Sequence, residues 1–201
     1  MNIFTRNRWL LGFLLVVVSC LLIVGCSSNE KAKTAEAEKP TESLEKDKAA
    51  IQAVIEKQFN GPDNRYRQLW DAATEIQTAN MNEEQYDAWL KTPEYNALID
   101  YMNSTYASYF TENAYETFRN TDAFLYSYSD REYKLTTSAI EITQSEKERT
   151  LYPFTFQVMY ENESGETEIV DFEGQAIVPV AGKIGKIQFN NQEKLLQKIE
   201  E

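Results

Sequence analysis

Histidine is absent from the 201-residue sequence, and this absence excludes several kinds of chemistry at once. Hydrolysis by a Ser-His-Asp triad, Cys-His chemistry and zinc or iron sites built on imidazole all need that side chain. Glycine is also scarce, with seven residues, and none of them forms a phosphate-binding loop. A calcium-binding loop of alternating acidic residues is missing too. These absences argue against the common catalytic and nucleotide-binding classes.

Basic residues are outnumbered, with 20 Lys and Arg against 32 Asp and Glu, so the formal net charge is −12. Nucleic acids and anionic lipid surfaces are bound by clustered lysine and arginine. We therefore expect no nucleic acid partner. We interpret the acidity as a solvated, self-repelling surface that keeps the chain soluble.

The N-terminus carries one long apolar run. Arg6 and Arg8 precede it, and the run from Trp9 to Val24 is interrupted only by Gly12, Ser19 and Cys20. A basic head, a short apolar core and a small residue before the cut are typical of a secretory signal peptide. The alternative is an uncleaved membrane anchor, because the run approaches the ~18–20 residues that a spanning helix needs.

The end of the run separates these two interpretations. The sequence Ile23-Val24-Gly25-Cys26 resembles a bacterial lipobox, where the signal peptide is cut and the following cysteine is acylated. The resemblance implies a signal peptide over residues 1–25 and a diacylglycerol on Cys26. It places the mature chain on the extracytoplasmic face of the cell membrane. Two acyl chains give stable anchoring, whereas one chain binds only marginally.

The predicted maturation leaves no free thiol. Cys20 departs with the signal peptide and Cys26 becomes a thioether, so no cysteine remains for a disulfide, a redox pair or a metal site. We expect no cofactor. Arg6 and Arg8 are the only charges lost, which leaves 18 basic against 32 acidic side chains.

Residues 26–40 are predicted to be the lipidated cysteine followed by a disordered tether. The segment Ser27–Pro40 has no aromatic and no large aliphatic residue, so it cannot bury enough apolar surface to order itself. Its typical span is about 20 Å. A long polar tether favours a bacterium with a single membrane. In a two-membrane cell, Ser27 in place of aspartate after the cysteine would indicate the outer membrane.

Residues 41–201 are predicted to form one domain whose first half is helical. Apolar residues recur at helical spacing in five consecutive segments. The first predicted helix starts near Thr41 and ends at Phe59, and the second runs from Pro62 to near Asn80. A short third helix follows the cap Asn82. The fourth extends over Pro93–Phe110 and the fifth over Thr111–Arg119. The stripe of the second helix includes Tyr66, Leu69, Trp70, Ala73 and Ile76.

After Asn120 the period of the apolar residues changes to two, which indicates β-strands. Ala123–Tyr128 is ambiguous between a last helical turn and a first strand. We predict strands over Tyr133–Thr143, Leu151–Tyr160 and Val170–Val180, a hairpin at Gly182-Lys183, a returning strand with Ile187 and Phe189, and a terminal helix from Asn191 to Glu200.

This order predicts an α+β fold, with N-terminal helices packed on a curved, cone-like antiparallel meander and a short C-terminal helix. The segments AIQAVIEKQFNG and YASYFTENAYETF and the meander Tyr133–Phe189 resemble the nuclear-transport-factor-2-like folds. Relatives of that fold include isomerases, dehydratases, assembly subunits of secretion machines and lipoproteins. Fold alone does not choose among these functions.

Three functions are compatible with the domain. Tyr95, Tyr106, Tyr109, Tyr152 and Tyr160 could line a ligand pocket with apolar walls and a few hydroxyls. A tyrosine–carboxylate pair could support acid–base chemistry of the isomerase type, but Glu141, Asp171 and Glu173 alternate with core residues and are predicted to point away from the cone. The third function is protein–protein contact through Trp70 or Trp89, if either is exposed. We expect a non-catalytic binding or assembly domain.

The anchor is testable at one residue. We expect Cys26→Ser to abolish lipid attachment and to release the chain from the membrane fraction, because the acylated sulfur is then missing. Metabolic labelling with palmitate and membrane fractionation measure both effects, and Cys20→Ser is the control that should change neither. Unchanged processing and membrane retention in Cys26→Ser would contradict the lipoprotein assignment.

Overall fold

Most of the helices precede the strands along the chain, and one short helix follows them. The computed structural model describes residues 40–77, 80–129 and 131–200, which belong to a compact unit running from Glu38 to Glu201. The helices in this part are α1 (Pro40–Phe59), α2 (Asn64–Glu75), α3 (Glu83–Trp89), α4 (Pro93–Tyr106), α5 (Glu112–Thr121) and α6 (Gln192–Glu200). The strands are β1 (Tyr133–Ile142), β2 (Leu151–Asn162), β3 (Thr167–Ile177) and β4 (Lys186–Phe189).

The predicted signal peptide over residues 1–25, Cys26 and the tether as far as residue 39 lie outside the described residues. Pro40, with which the predicted tether ends, is the first residue of α1. Among the described residues, no helix is both long and apolar enough to cross a membrane.

The four strands form an antiparallel meander in the order β1-β2-β3-β4. Alternation along the strands separates an apolar from a polar face, as in a sheet covered on one side. In β2, Phe154 and Phe156 are buried, whereas Thr155 between them is exposed. The predicted α+β class, with helices on one face of a curved meander and a short C-terminal helix, is confirmed.

Helix α1 covers the apolar face of the sheet. Its residues Ile51, Val54, Ile55 and Phe59 are completely buried, at the spacing i, i+3, i+4 and i+8 that places side chains on one side of a helix. The Phe59 ring lies among four other rings, with centroid distances of 4.8 to 5.1 Å to Tyr126, Phe156, Phe172 and Phe189. Aromatic side chains therefore fill the concave side of the sheet.

Two elements end earlier than the apolar pattern predicts and leave an apolar residue exposed beyond their end. Helix α2 ends at Glu75 rather than near Asn80, and Ile76, predicted to be on its buried stripe, is 44% exposed. Strand β3 ends at Ile177, and Val180 is 59% exposed because it opens the turn that Lys183 closes with a backbone bond of 2.8 Å. In both cases an apolar residue continues the period beyond the end of its element and is exposed.

The ambiguous stretch Ala123–Tyr128 is neither an α-helix nor a strand. It contains a short 3₁₀ turn over Leu125–Ser127. Phe124 enters this turn with φ +59° in the left-handed region, and its N–H donates to the buried Gln58 Oε1 at 3.1 Å. A buried hydrogen bond thus holds a backbone conformation that a non-glycine residue seldom adopts.

Gly174 in β3 provides a sharp test of the packing of the sheet. A Cβ at this position would lie 2.2 Å from the Gln188 carbonyl oxygen and 2.5 Å from the Phe154 ring. We expect Gly174→Ala to lower the free energy of unfolding by about 3 kcal/mol, because the contacted atoms are backbone and a packed ring. Urea unfolding measures the change.

The adjacent Gln175→Ala is the matched control, since Gln175 is exposed on the opposite face. Its effect should stay within about 0.5 kcal/mol. Equal stability of Gly174→Ala and the wild-type chain would contradict the close approach of β3 to β4.

Candidate functional site

The five predicted pocket tyrosines take separate positions in the fold. Tyr106 and Tyr152 are buried, and their hydroxyls donate to Gln58 Oε1 at 3.1 Å and Asp47 Oδ2 at 2.7 Å. The other three are half-buried and contact different elements. Tyr95 packs on Trp89, Tyr109 lies 6.0 Å from the Lys57 Nζ, and Tyr160 stacks on Tyr133.

The structure does not bring these tyrosines together into one pocket. The described residues form several surface grooves, among them five of 380 to 670 Å³ that open to solvent. Of the five predicted tyrosines, Tyr160 lines one of these five grooves and the other four line none of them. The shared helical or strand face that suggested a pocket is the core itself. Aromatic residues at core spacing have filled the cone rather than lined it.

Two tyrosine–aspartate pairs have the composition of an acid–base site. Asp47, which is 5% exposed, accepts from the Tyr152 hydroxyl and from the Gly182 N–H, each at 2.7 Å. Asp63 accepts from the Tyr101 hydroxyl at 2.8 Å and from the N–H of Tyr66, which it caps. Each carboxylate therefore already joins two elements through its own oxygens.

The electrostatics of these pairs keep the hydroxyls protonated. Burial, followed by the bonded Asp63 carboxylate, raises the pKa of Tyr101 to about 12. Burial and then Asp47 raise the pKa of Tyr152 as well. Neither pair lines one of the five grooves, and Glu141, Asp171 and Glu173 are exposed on the outer side. Asp47 and Asp63 therefore act as hydrogen-bond acceptors that join elements of the fold.

The strongest surface feature is an exposed aromatic pair. Trp70 on α2 is 38% exposed and Tyr128 is 45% exposed, with ring centroids 5.2 Å apart and planes at 85°. The buried Tyr66 ring lies beneath both of them, at 6.1 and 5.6 Å. We call Trp70 and Tyr128, with Tyr66 beneath, the aromatic patch.

A half-buried arginine fixes the loop that carries Tyr128. The Arg67 guanidinium donates to the carbonyls of Ser127, Ser129 and Arg131 and lies 5.3 Å from the centroid of the Tyr133 ring. The residues on both sides of Tyr128 are thereby tied to α2, which also carries Trp70. Such preorganisation reduces the conformational entropy that a partner must remove on binding.

The sequence names one residue of this patch, Trp70, as an anchor on the condition that it is exposed, although its helical spacing favours the core. The sequence offers two candidate anchors, Trp70 and Trp89. Of these, Trp89 is half-buried, and its indole N–H donates to the Ala73 carbonyl at 2.8 Å. Trp70 lies at the edge of its buried stripe and is exposed. Tyr128 falls in the ambiguous stretch before β1, where no periodicity marks it as a surface residue.

Comparison with known proteins adds no assignment, because no protein family and no curated protein matches the chain. Within the part of the chain that the structure describes, no group of three or more acidic or cysteine side chains is arranged to hold a metal ion. What the geometry offers is a filled core and an exposed, rigidly held aromatic patch.

The buried hydroxyls predict how stability depends on pH. The pKa values of seven tyrosines are raised above the ordinary value of 10, with burial as the first cause in each case. In the unfolded chain these groups ionise near pH ~10. Their contribution to the free energy of unfolding is therefore fully present below that pH. It is lost as the pH rises through the pKa values of the folded state, which is about 12 for Tyr101.

We expect tyrosinate absorbance of these residues to appear together with the loss of circular dichroism in an alkaline titration. The urea-unfolded chain is the control, and all its tyrosines should titrate near pH ~10. If the folded chain titrated like the unfolded one while keeping its circular dichroism, the burial of these hydroxyls would be contradicted.

Proposed function

We propose that the chain is a membrane-anchored extracytoplasmic lipoprotein whose domain binds a protein partner without catalysis. The aromatic patch is the observation that carries the proposal. Tryptophan and tyrosine are enriched in the hot spots of interfaces, and Trp70 and Tyr128 present two such rings side by side.

The anchor part of the proposal is supported by the sequence at Cys26 and the polar segment that follows it. A diacylglycerol on Cys26 would hold the domain at the membrane, and a tether would allow it to reach a neighbouring protein. Anchoring also raises the local concentration of the domain around any partner in the same membrane, so a modest intrinsic affinity would suffice.

The non-catalytic part is supported by where the tyrosines and carboxylates lie. Asp47 and Asp63 each bind a tyrosine hydroxyl and a backbone N–H. The space in which a cone-shaped domain could hold a substrate is occupied by Phe59 and the rings around it. A small-ligand pocket lined by the predicted tyrosines has less support for the same reason.

The patch can be tested in intact cells with a photo-crosslinker placed beside it. Asp71 is exposed on α2 next to Trp70, so Asp71→benzoyl-phenylalanine keeps both aromatic anchors. We expect a discrete crosslinked protein, and we expect Trp70→Ala or Tyr128→Ala to reduce its yield. Purified partner and domain should then show a loss of affinity of about tenfold or more, the loss expected on truncating a hot-spot aromatic residue.

The exposed Tyr86 on α3 provides the matched control. Tyr86→Ala removes a similar exposed ring outside the patch and should leave the crosslink intact. Thermal unfolding of each variant separates a binding defect from a folding defect. An equal crosslink from folded Trp70→Ala, Tyr128→Ala and Tyr86→Ala would contradict the assignment of the patch.

A further inference from the structure

A second surface, separate from the aromatic patch, has an unpaired β-edge. Strand β4 pairs with β3 on one side, with Gln188 opposite Gln175 and Phe189 opposite Gly174. The Asn190 N–H donates to the Glu173 carbonyl at 2.9 Å. Because hydrogen-bonded and non-bonded pairs alternate in an antiparallel ladder, the N–H and C=O of Ile187 and Phe189 point away from β3.

Those outward groups form no hydrogen bond within the described part of the chain. The chain just before β4 behaves differently. Ile184 donates to the Tyr109 carbonyl at 2.8 Å and accepts from the Thr111 N–H at 3.0 Å, in a parallel bridge centred on Phe110. The segment after Thr111 then turns into α5 and leaves the edge. One end of the edge is thus paired, and the other end is open.

The other edge of the sheet is closed. Gly61 exchanges two backbone hydrogen bonds with Leu135 of β1, at 3.2 and 2.7 Å. The Asn60 Oδ1 accepts from the Thr137 N–H at 2.7 Å. Further along β1, a bulge between Ser138 and Glu141, with Ala139 at φ +51°, breaks the regular edge. Natural sheets block exposed edges by such devices. On the β4 side, the backbone bridge described above lies at Ile184, before the strand begins.

The open part of β4 forms one wall of a groove of about 590 Å³, and α5 forms the other. Ala114, Thr117, Phe118 and Thr121 lie at helical spacing on the side of α5 that lines it. The floor includes the buried rings of Phe110 and Phe189. Only two of the lining residues are charged, Asp122 and Lys186, although charged residues make up 26% of the sequence. The groove is therefore suited to an uncharged occupant.

We propose that this groove, which we call the α5–β4 groove, binds an extended, uncharged segment of a partner protein as an additional β-strand. Alternating N–H and C=O groups of Ile187 and Phe189 provide main-chain hydrogen bonds for a strand. The hydroxyls and apolar side chains of α5 contact the alternate side chains of that strand. None of the residues of the aromatic patch lines this groove, so the two surfaces are independent.

Other occupants fit the groove less well. A second copy of the chain would bring its own α5 alongside its own β4, and two helices would then compete for the space between one helix and one strand. The predicted tether Ser27–Pro40 of the same chain consists largely of charged and small residues, which do not match an uncharged wall with buried rings. A lone extended segment satisfies both the hydrogen-bonding edge and the neutral lining.

The proposal is tested with the full chain in detergent and a display library of random short peptides. We expect the selected peptides to be uncharged and to alternate apolar with small polar residues. Methylating alternate backbone nitrogens of the best peptide should abolish binding in one of the two registers, since only one set of amides faces β4. The affinity is measured by isothermal titration calorimetry.

Two variants of the chain separate main-chain from side-chain recognition. Ile187→Pro removes an outward N–H that β3 does not use, and Thr117→Arg places a bulky charge in the groove. Each should weaken binding of the selected peptide by about tenfold or more. Glu116→Arg, on the opposite side of α5 and exposed, is the matched control and should leave the affinity unchanged. Trp70→Ala should also leave it unchanged.

Thermal unfolding verifies that each variant is folded. If Ile187→Pro does not fold, the affinity of Thr117→Arg for the peptide still tests the proposal. Failure to select any peptide would overturn the proposal, and so would equal binding of the peptide to folded Thr117→Arg and Glu116→Arg. Light scattering tests whether a second copy of the chain occupies the groove. A wild-type dimer that becomes a monomer in Thr117→Arg would show that a second copy fills the groove and would overturn the proposal as well.

Discussion

The packing of one ring, Phe59, holds the two halves of the domain together. A four-stranded sheet with an apolar face is stable only when that face is covered, and Phe59 is the residue by which α1 reaches its centre. Contacts to Tyr126, Phe156, Phe172 and Phe189 join α1 to β2, β3, β4 and the turn before β1. Each such ring pair is worth about 0.5–1.5 kcal/mol beyond the area it buries. The same packing occupies the space where a ligand could otherwise lie.

Gln58 and Asp47 are polar residues of this core that join elements, whereas the buried hydroxyls of Tyr66 and Tyr126 have no hydrogen-bond partner among the described residues. Gln58 precedes Phe59 and is buried with it. Its amide accepts from Tyr106 and Phe124 and donates to the Asp122 carbonyl. Asp47, nearer the start of α1, accepts hydrogen bonds from β2 and from the turn before β4. Since a buried polar group left unpaired is destabilising, these bonds are required for stability. The surface, rather than the interior, is therefore where this domain offers contacts.

Periodicity predicted the elements whose burial is decided locally. The i, i+3, i+4, i+8 stripe of α1 and the alternation in β2 were sufficient because a long helix and a central strand are covered along most of their length. The same periodicity predicts Ile76 and Val180 in the core, and both are exposed. Strand β3 ends at Ile177, which pairs with Leu151 and Lys186, the first residues of β2 and β4, so this boundary is set by other parts of the chain. Pairing of Trp70 with Tyr128 also depends on distant residues, through the bonds of Arg67 to the loop around Tyr128.

The sequence by itself determined the order of helices and strands, the acidic surface and the absence of imidazole chemistry, because these follow from composition and local spacing. It also contains the lipobox-like residues before Cys26, on which the predicted anchor depends. Only the tertiary structure decided which tyrosines are buried, that the cone is filled, and that β4 rather than β1 keeps an open edge. Residue spacing indicates which face of an element is apolar, but it does not indicate which side chain from another part of the chain packs against that face.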